Sequence, residues 1–504
     1  METDQRSRGP RVGSLVLALL LGACRMPGTT PRSTLVLGQP TSALTLDPHL
    51  HDEESTYSTL EHFYDKLVAF GPDMELVPEL ALTWQNPSET LWRIRLRRGV
   101  VFHDGRPFEA EDVAASIRRA RALPGSRVAY YLEGVSDVRA PDSETVEIET
   151  SRPSPVLLNR LAFIGIVPRD TPLSPVTKPV GTGPFRFVSG SPGQTIEGER
   201  FARYWGTAPS WERVRFVSLP DARSRAEAVS TGAADAVSRF PYDHAAWASR
   251  QTTMRLVSTR GLGVTLLGFR TQPPSPFADL RVRRAIALAI DRKALVPEDE
   301  SQYSIPMDQL VPAGVFGHIP QPSTERSDPA EAARLLSEAR FPLHRELRLA
   351  FADTHADVGQ ALCRQLAAVG ITLVPESLPQ PELYARFSSA DPPLLFLMSW
   401  AAGTGDGSDL LEALFHTPGN GLGAANRFAY SRPEVDALIS RAGQSLEPAT
   451  RREALWAAFR LLALDVPAVP LLLRSNLYAV RPDLDWTPRR NRRMRAVDLT
   501  RTAR

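Results

Sequence analysis

Between positions 47 and 55 the chain reads Asp47-Pro48-His49-Leu50-His51-Asp52-Glu53-Glu54-Ser55. His49 and His51 are spaced as a metal pair. A metal site takes four or more ligands, and no third is placed beside them by spacing, so no metal is expected. His51, Asp52, Glu53 and Glu54 in a row suit a cationic ligand, and they suit a solvated loop equally well. A second group is Ser399-Trp400-Ala401-Ala402-Gly403-Thr404-Gly405-Asp406-Gly407. It follows the apolar run Leu394–Trp400, and in α/β proteins ligands sit at such strand ends. The glycine-rich Val180-Gly181-Thr182-Gly183-Pro184-Phe185 lacks the Lys-Ser/Thr of a phosphate-cradling loop and reads as a tight turn. Neither residues 263–265 nor 403–407 form a G-x-S-x-G nucleophile elbow. No H-E-x-x-H occurs, and no pair of acids is singled out for glycoside hydrolysis. The chain is expected to bind a ligand rather than to catalyse, and no motif calls for a cofactor.

These groups need elements to hold them. Leu35–Leu37 is a short apolar strand. Leu91–Arg97 alternates, with Trp92, Ile94 and Leu96 on one face and three arginines on the other, the period of a strand with one wet face. His103–Pro107 is a turn. A helix follows from about Glu109, with acids in its first turns and arginines in its last, matching the helix dipole. Thr145–Thr150 alternates again. Val282, Ala285, Ile286, Ala289 and Ile290 form a helical stripe. Asp328-Pro329-Ala330-Glu331 supplies a helix cap, Pro at the first helical position and an acid at the third. Val358–Val369 is a helix closed by Gly370, followed by a strand at Ile371–Val374. Leu394–Trp400 is apolar throughout and so central and buried. A last long helix from about Ala449 to Leu464 leads into a strand at Val469–Leu473. Helix–strand alternation through the second half argues an α/β fold.

The chain has 504 residues, 42% hydrophobic and 23% charged, with a formal net charge of +2. That length predicts several domains or lobes, and the composition excludes a largely disordered chain. The near-zero charge, spread over scattered arginines, gives no field for nucleic acid. Two cysteines, Cys24 and Cys363, exclude a disulfide scaffold. Cys363 lies in an amphipathic segment and reads as an inert thiol. Arg6, Arg8 and Arg11 precede an uncharged stretch from Val12 to Ala23. It is shorter than the roughly 20 residues of a membrane span and reads as a signal-peptide core. Leu21-Gly22-Ala23-Cys24 resembles a bacterial lipobox, which predicts cleavage after Ala23, a lipid on Cys24 and a short tether to the exported body.

Taken together, these words resemble the extracellular solute-binding proteins of peptide-type ABC importers, family 5 or cluster C. The resemblance rests on Leu46–His49, Tyr64–Val68, Pro78–Ala81 before Trp84, Ile94–Val113, Val180–Phe185, Tyr204–Gly206 and Arg283–Arg292, in family order. It implies an α/β bilobal clamp of the periplasmic-binding type II, with an extra small α+β domain inserted in the first lobe. The implied boundaries are 1–23 signal peptide, 24–33 lipidated tether, 34–51 with 178–262 and 470–504 lobe I, 52–177 inserted domain, and 263–469 lobe II. It also implies a peptide or peptide-like ligand, a monomer, delivery to an ABC permease, and location at the cell membrane or in the periplasm. A ligand-sensing or chaperone-like lipoprotein on the same clamp is the alternative, with metal-chelate or sugar binding behind it. The ligand residues implied are Asp52, Glu53, Glu54, Ser55, Trp400, Gly403, Thr404, Asp406, Asn426 and Arg427. Peptide-binding relatives carry an Asp at the position of Gly403 to pair with the peptide amine. Its loss here means that Asp406 or Glu53/Glu54 takes the role, or that the ligand has no free α-amine. Arg427 would meet a ligand carboxylate.

Overall fold

The computed structural model describes residues 33–502 apart from 322–326, 344 and 420. The expected signal peptide, Cys24 and nearly all of the tether lie outside the described residues.

Most strands join one eleven-stranded sheet. Across it the order is Leu373–Leu378, Leu347–Ala352, Leu395–Ala401, Arg255–Phe269, Ala468–Val480, Ala236–Val237, Thr34–Gln39, Arg213–Ser218, Ile196–Arg200 and Phe185–Ser189. Ser304–Pro306 adds to Ala468–Val480 from the side. Two long antiparallel strands carry the sheet from one half to the other. Gly263–Phe269 pairs with Leu395–Ala401 on one side, and Val480 pairs with Ala236 on the other. The ladder between the long strands breaks between Arg260 and Val264. Each half therefore has its own neighbours, and among the described residues only these two strands cross. This is the architecture of a bilobal α/β clamp.

The crossing strands differ from what the residues alone indicate. Val469–Leu473 is the first part of a 13-residue strand, and Arg255–Phe269 is a 15-residue strand. The second one shows no clean alternation because Gly261, Gly263 and Gly268 interrupt it. Two of those glycines stand where backbone or ring approaches closely: a Cβ on Gly261 would lie 2.7 Å from the Arg474 carbonyl, and one on Gly268 2.3 Å from the Phe396 ring. The expected strand at Ile371–Val374 begins later, at Leu373, and runs to Leu378.

A separate four-stranded sheet is formed by Ala81–Ser88, Leu91–Leu96, Thr145–Thr150 and Val135–Asp142. Trp92, Ile94 and Leu96 point inward as their spacing requires. The helix Ala110–Ala122 covers this face. Glu109 and Asp112 cap each other's backbone at its start, which satisfies amides that a helix end leaves open. The sheet is separate in its hydrogen bonds but not in its packing. Trp92, Ile94, Val113 and Ile148 belong to the same apolar core as Leu411, Phe415 and Leu455. Among the described residues no helix is long and apolar enough to cross a membrane.

Candidate functional site

Residues 47–55 divide between structure and site. Asp47 is wholly buried and gripped by Arg119, whose Nη1 donates to Oδ1 at 3.0 Å. Burial raises its pKa, but Arg119 and the amides of His49 and Val176 outweigh that and hold it low. His49 is fully engaged: its Nε2 lies 2.8 Å from the Gly165 carbonyl and its Nδ1 accepts from Arg119 at 2.8 Å. Burial drops it to about 4. His51 Nδ1 accepts from the Glu53 amide. Both imidazoles thus serve the backbone. Glu53 caps the helix Glu54–Leu60, its Oε2 accepting from the Thr56 amide at 2.9 Å. Ser55 is buried, and its carbonyl accepts from the Thr59 hydroxyl.

Asp52 and Glu54 are half-buried among polar partners. Asp52 Oδ2 accepts from Tyr130 at 2.9 Å and from Tyr131 at 3.3 Å. Those rings lie 4.0 Å apart, and Tyr131 stacks on Phe163 at 4.2 Å. Glu54 receives Arg239 Nη2 at 2.6 Å and Nε at 3.1 Å, and Arg492 approaches at 3.4 Å. Burial raises the Glu54 pKa, and the two guanidiniums overcome it to leave it lowered.

On the other side, Leu395–Ala401 delivers Trp400 and the glycine-rich turn. A Cβ on Gly403 would meet nothing within 4 Å, so space opens in front of it. The Thr404 carbonyl accepts from Asn159 at 2.8 Å. Asp406 is 3% exposed and committed: Arg451 holds both oxygens, at 3.0 and 2.9 Å, and the Ser408 amide donates to Oδ1. Arg451 in turn lies 4.8 Å from the Phe316 ring. One helical turn further on, Asp409 is part-buried. Burial first, then the charge of Glu412, pushes its pKa to about 7 against the pull of Arg160. Arg160 itself binds Glu412 at 2.9 Å. The charge of Asp409 reaches Tyr130 and Tyr131 and adds to the rise in their pKa, after burial as the main cause.

Asn426 and Arg427 stand apart. Asn426 Nδ2 donates to the His416 and Tyr430 carbonyls at 3.0 and 2.7 Å and pins a turn. Arg427 lies 5.7 Å from the Phe387 ring. Among the described residues no hydrogen bond or ion pair joins either of them to Asp52 or Asp409.

The structure joins Asp52 to Tyr130 and Tyr131, and Thr404 to Asp409 and its neighbour Glu412, so two expected residues meet four that the sequence did not single out, while Trp400 and Gly403 precede Thr404 along the same strand end. Asp409 stands three residues after Asp406 on the next helical turn, a spacing that the sequence showed but did not distinguish. The Tyr130-Tyr131 pair carried no signal of its own. A network of another kind lies nearby. His355 Nε2 is 2.8 Å from Ser399 Oγ, which is 2.9 Å from Thr265 Oγ1. Burial and then Arg474 hold His355 neutral, with its pKa near 4. It positions polar atoms at the strand end.

Comparison with known proteins agrees with this architecture. The family described as "Bacterial extracellular solute-binding proteins, family 5 Middle" matches residues 75–421. The glutathione-binding protein GsiB of Pectobacterium atrosepticum is 27% identical over 431 residues, 81% of this chain and 82% of its own. The crystal structure of the substrate-binding protein CtaP from Listeria monocytogenes has a TM-score of 0.84 at 17% identity, covering 93% of this chain and 99% of its own. DppA from Helicobacter pylori, in complex with the peptide STSA, has a TM-score of 0.77 at 21% identity, covering 93% and 98%. With the family matched over residues 75–421 and the fold over 93% of the chain, the chain belongs to the bacterial extracellular solute-binding proteins of family 5.

Proposed function

We propose that this chain is the exported, membrane-anchored substrate-binding component of an ABC importer. It takes a peptide or peptide-like solute between two lobes that close by a hinge, and delivers it to a permease. One observation carries the reading. Asp52 with Tyr130 and Tyr131, and Thr404 with Asp409 and Glu412, bring distant parts of the chain together, and buried polar atoms of Trp400 and Thr404 lack hydrogen-bond partners beside them. Concave sites between lobes that present a few convergent polar groups are built to hold a solute. GsiB is named for glutathione and DppA was solved with a peptide, which supports a peptide-like solute here. On this reading the lobes meet at the crossing strands, residues 52–177 form the inserted domain, the body acts as a monomer, and no catalysis is involved.

A thermal-shift panel of short peptides, amidated peptides, sugars and nickel chelates tests the ligand class. A ligand that binds only the folded form raises its stability by mass action, about 2.7 kcal/mol at a hundredfold excess over Kd. Stabilisation by peptides is the expected result, and stabilisation by sugars alone would overturn the reading. The anchor is tested by feeding cells labelled palmitate: a label lost in Cys24→Ala supports it, and a wild-type chain without label sinks it.

A further inference from the structure

At the end of the strand Leu395–Ala401 several polar groups are unmet. Thr404 is 4% exposed, and its Oγ1 has no partner beyond the Asp409 carboxyl beside it. Trp400 Nε1 is buried without a partner. The Thr404 hydroxyl faces the Asp409 carboxyl. Among the described residues no cation forms an ion pair with Asp409. Arg160, the cation that acts on it, is bound to Glu412 at 2.9 Å, and Arg451 is bound to Asp406 at 2.9 Å. Nothing fills the space in front of Gly403.

The opposite wall is aromatic and acidic. Tyr130 is 49% exposed, and both tyrosines donate to Asp52. Aromatic faces and carboxylates attract the same kind of partner, a cation. Two carboxylates, Asp409 and Glu412, share the guanidinium of Arg160, and the more exposed Arg152 acts on Glu412 from the rim. An unpaired carboxylate taken out of water is costly, and an incoming cation removes that cost. The other acids of the two candidate segments are committed elsewhere. Glu53 caps a helix, Glu54 holds two arginines, and Asp406 holds Arg451.

We propose that Asp409 is the specificity-determining carboxylate of this site, and that with Thr404 it receives a cationic group of the solute, an ammonium or guanidinium, against the Tyr130–Tyr131 wall. This rests on the solute-binding reading above. It adds that recognition of the cation does not use Asp406, Glu53 or Glu54. The charged and titratable groups around Asp409 are Glu412, Asp406, Arg160, Tyr130 and Tyr131. Burial and Glu412 hold Asp409 near 7, so the empty site keeps a proton that an arriving cation displaces.

The test uses the full chain and two probes: an equimolar tripeptide library free of Lys and Arg, and the same library N-acetylated. In isothermal titration the free-amine library is expected to bind about thirtyfold more tightly or better, the scale of losing one partner of a desolvated charge pair. Asp409→Asn is expected to abolish that preference. Equal binding of the two libraries by the wild type, or a preference that survives in Asp409→Asn, overturns the inference and leaves the functional reading standing. Binding of neither library overturns the functional reading and the inference with it. A wild-type measurement needs no variant: at pH 6.5, titrations in buffers of different ionisation enthalpy should show proton release with the free-amine library. Binding without proton release would count against Asp409 as the receiving group.

Discussion

A carboxyl group held away from water with no cation of its own favours its neutral form, and Asp409 is such a group. Its ordinary pKa of 3.8 is pushed to about 7, by burial first and Glu412 second. Between those two values the folded chain keeps a proton that the unfolded chain has released. The stability this group contributes is therefore full below about pH 4, is lost as pH rises through the window, and stays lost above 7. Asp409→Asn should accordingly stabilise the ligand-free protein at pH 7.5, by about 1–2 kcal/mol after allowing for its partial exposure, and change little at pH 4. Urea midpoints of both proteins at the two pH values check this. Asp65 is also raised to about 7, by burial and Glu79, so the difference between the two proteins is the quantity to read. An unchanged midpoint at pH 7.5 would mean that Asp409 is already satisfied. A variant that gains stability while losing solute is what a carboxyl kept for binding predicts.

Among the elements, the glycine-rich segment at 180–185 shows why a motif needs its neighbours. It lacks phosphate-loop chemistry, and the structure uses its glycines for close approach. A Cβ on Gly181 would fall 2.1 Å from the Phe63 carbonyl, and one on Gly183 2.6 Å from that of His62. The Phe185 amide then donates to the His62 carbonyl at 3.0 Å. Gly181→Ala must push two backbones apart and should cost about 1–3 kcal/mol, the usual range for overpacking. Chemical denaturation with an unchanged m-value measures it, and a loss under about 0.5 kcal/mol would show that the segments part freely. Other elements were legible from local rules. Asp328 caps Pro329–Glu338 through the Glu331 amide at 2.9 Å, and Leu395–Ala401 is a central strand as its unbroken apolar run indicates. The strand Arg255–Phe269 was not legible, because its glycines answer to partners such as Arg474 and Phe396 that are distant in sequence.

At the scale of the whole molecule, two halves of one sheet are joined through Arg255–Phe269 and Ala468–Val480, with a ladder break between Arg260 and Val264. On the proposed reading this break is where the two halves turn, the usual form of hinge closure around a ligand. Two side-chain ties hold the segment Leu157–Leu161 to the strand end and the helical segment after it: Asn159 to the Thr404 carbonyl at 2.8 Å, and Arg160 to Glu412 at 2.9 Å. The expectation is a solute-free ensemble that includes opened forms and a narrower, more compact one with solute. Small-angle scattering with and without the tripeptide library should show a smaller radius of gyration on binding. Arg160→Ala should enlarge the solute-free value. No change with a library that demonstrably binds would refute hinge closure.

The sequence by itself determined the family words, the α/β character, helix starts such as those at Glu109 and Asp328, and the alternation that turns Trp92 and Ile94 inward. These follow from neighbours along the chain, and local rules reach that far. It also brought Asp52, Trp400 and Thr404 to notice. Only the tertiary structure decided which charges are free. Asp406 is taken by Arg451, 45 residues away, and Glu54 by Arg239 and Arg492, 185 and 438 residues away. Asp409 keeps no such partner among the described residues. Whether a carboxylate is spent on the fold or left for a solute depends on which guanidiniums the fold brings beside it, and spacing along the chain carries no record of that.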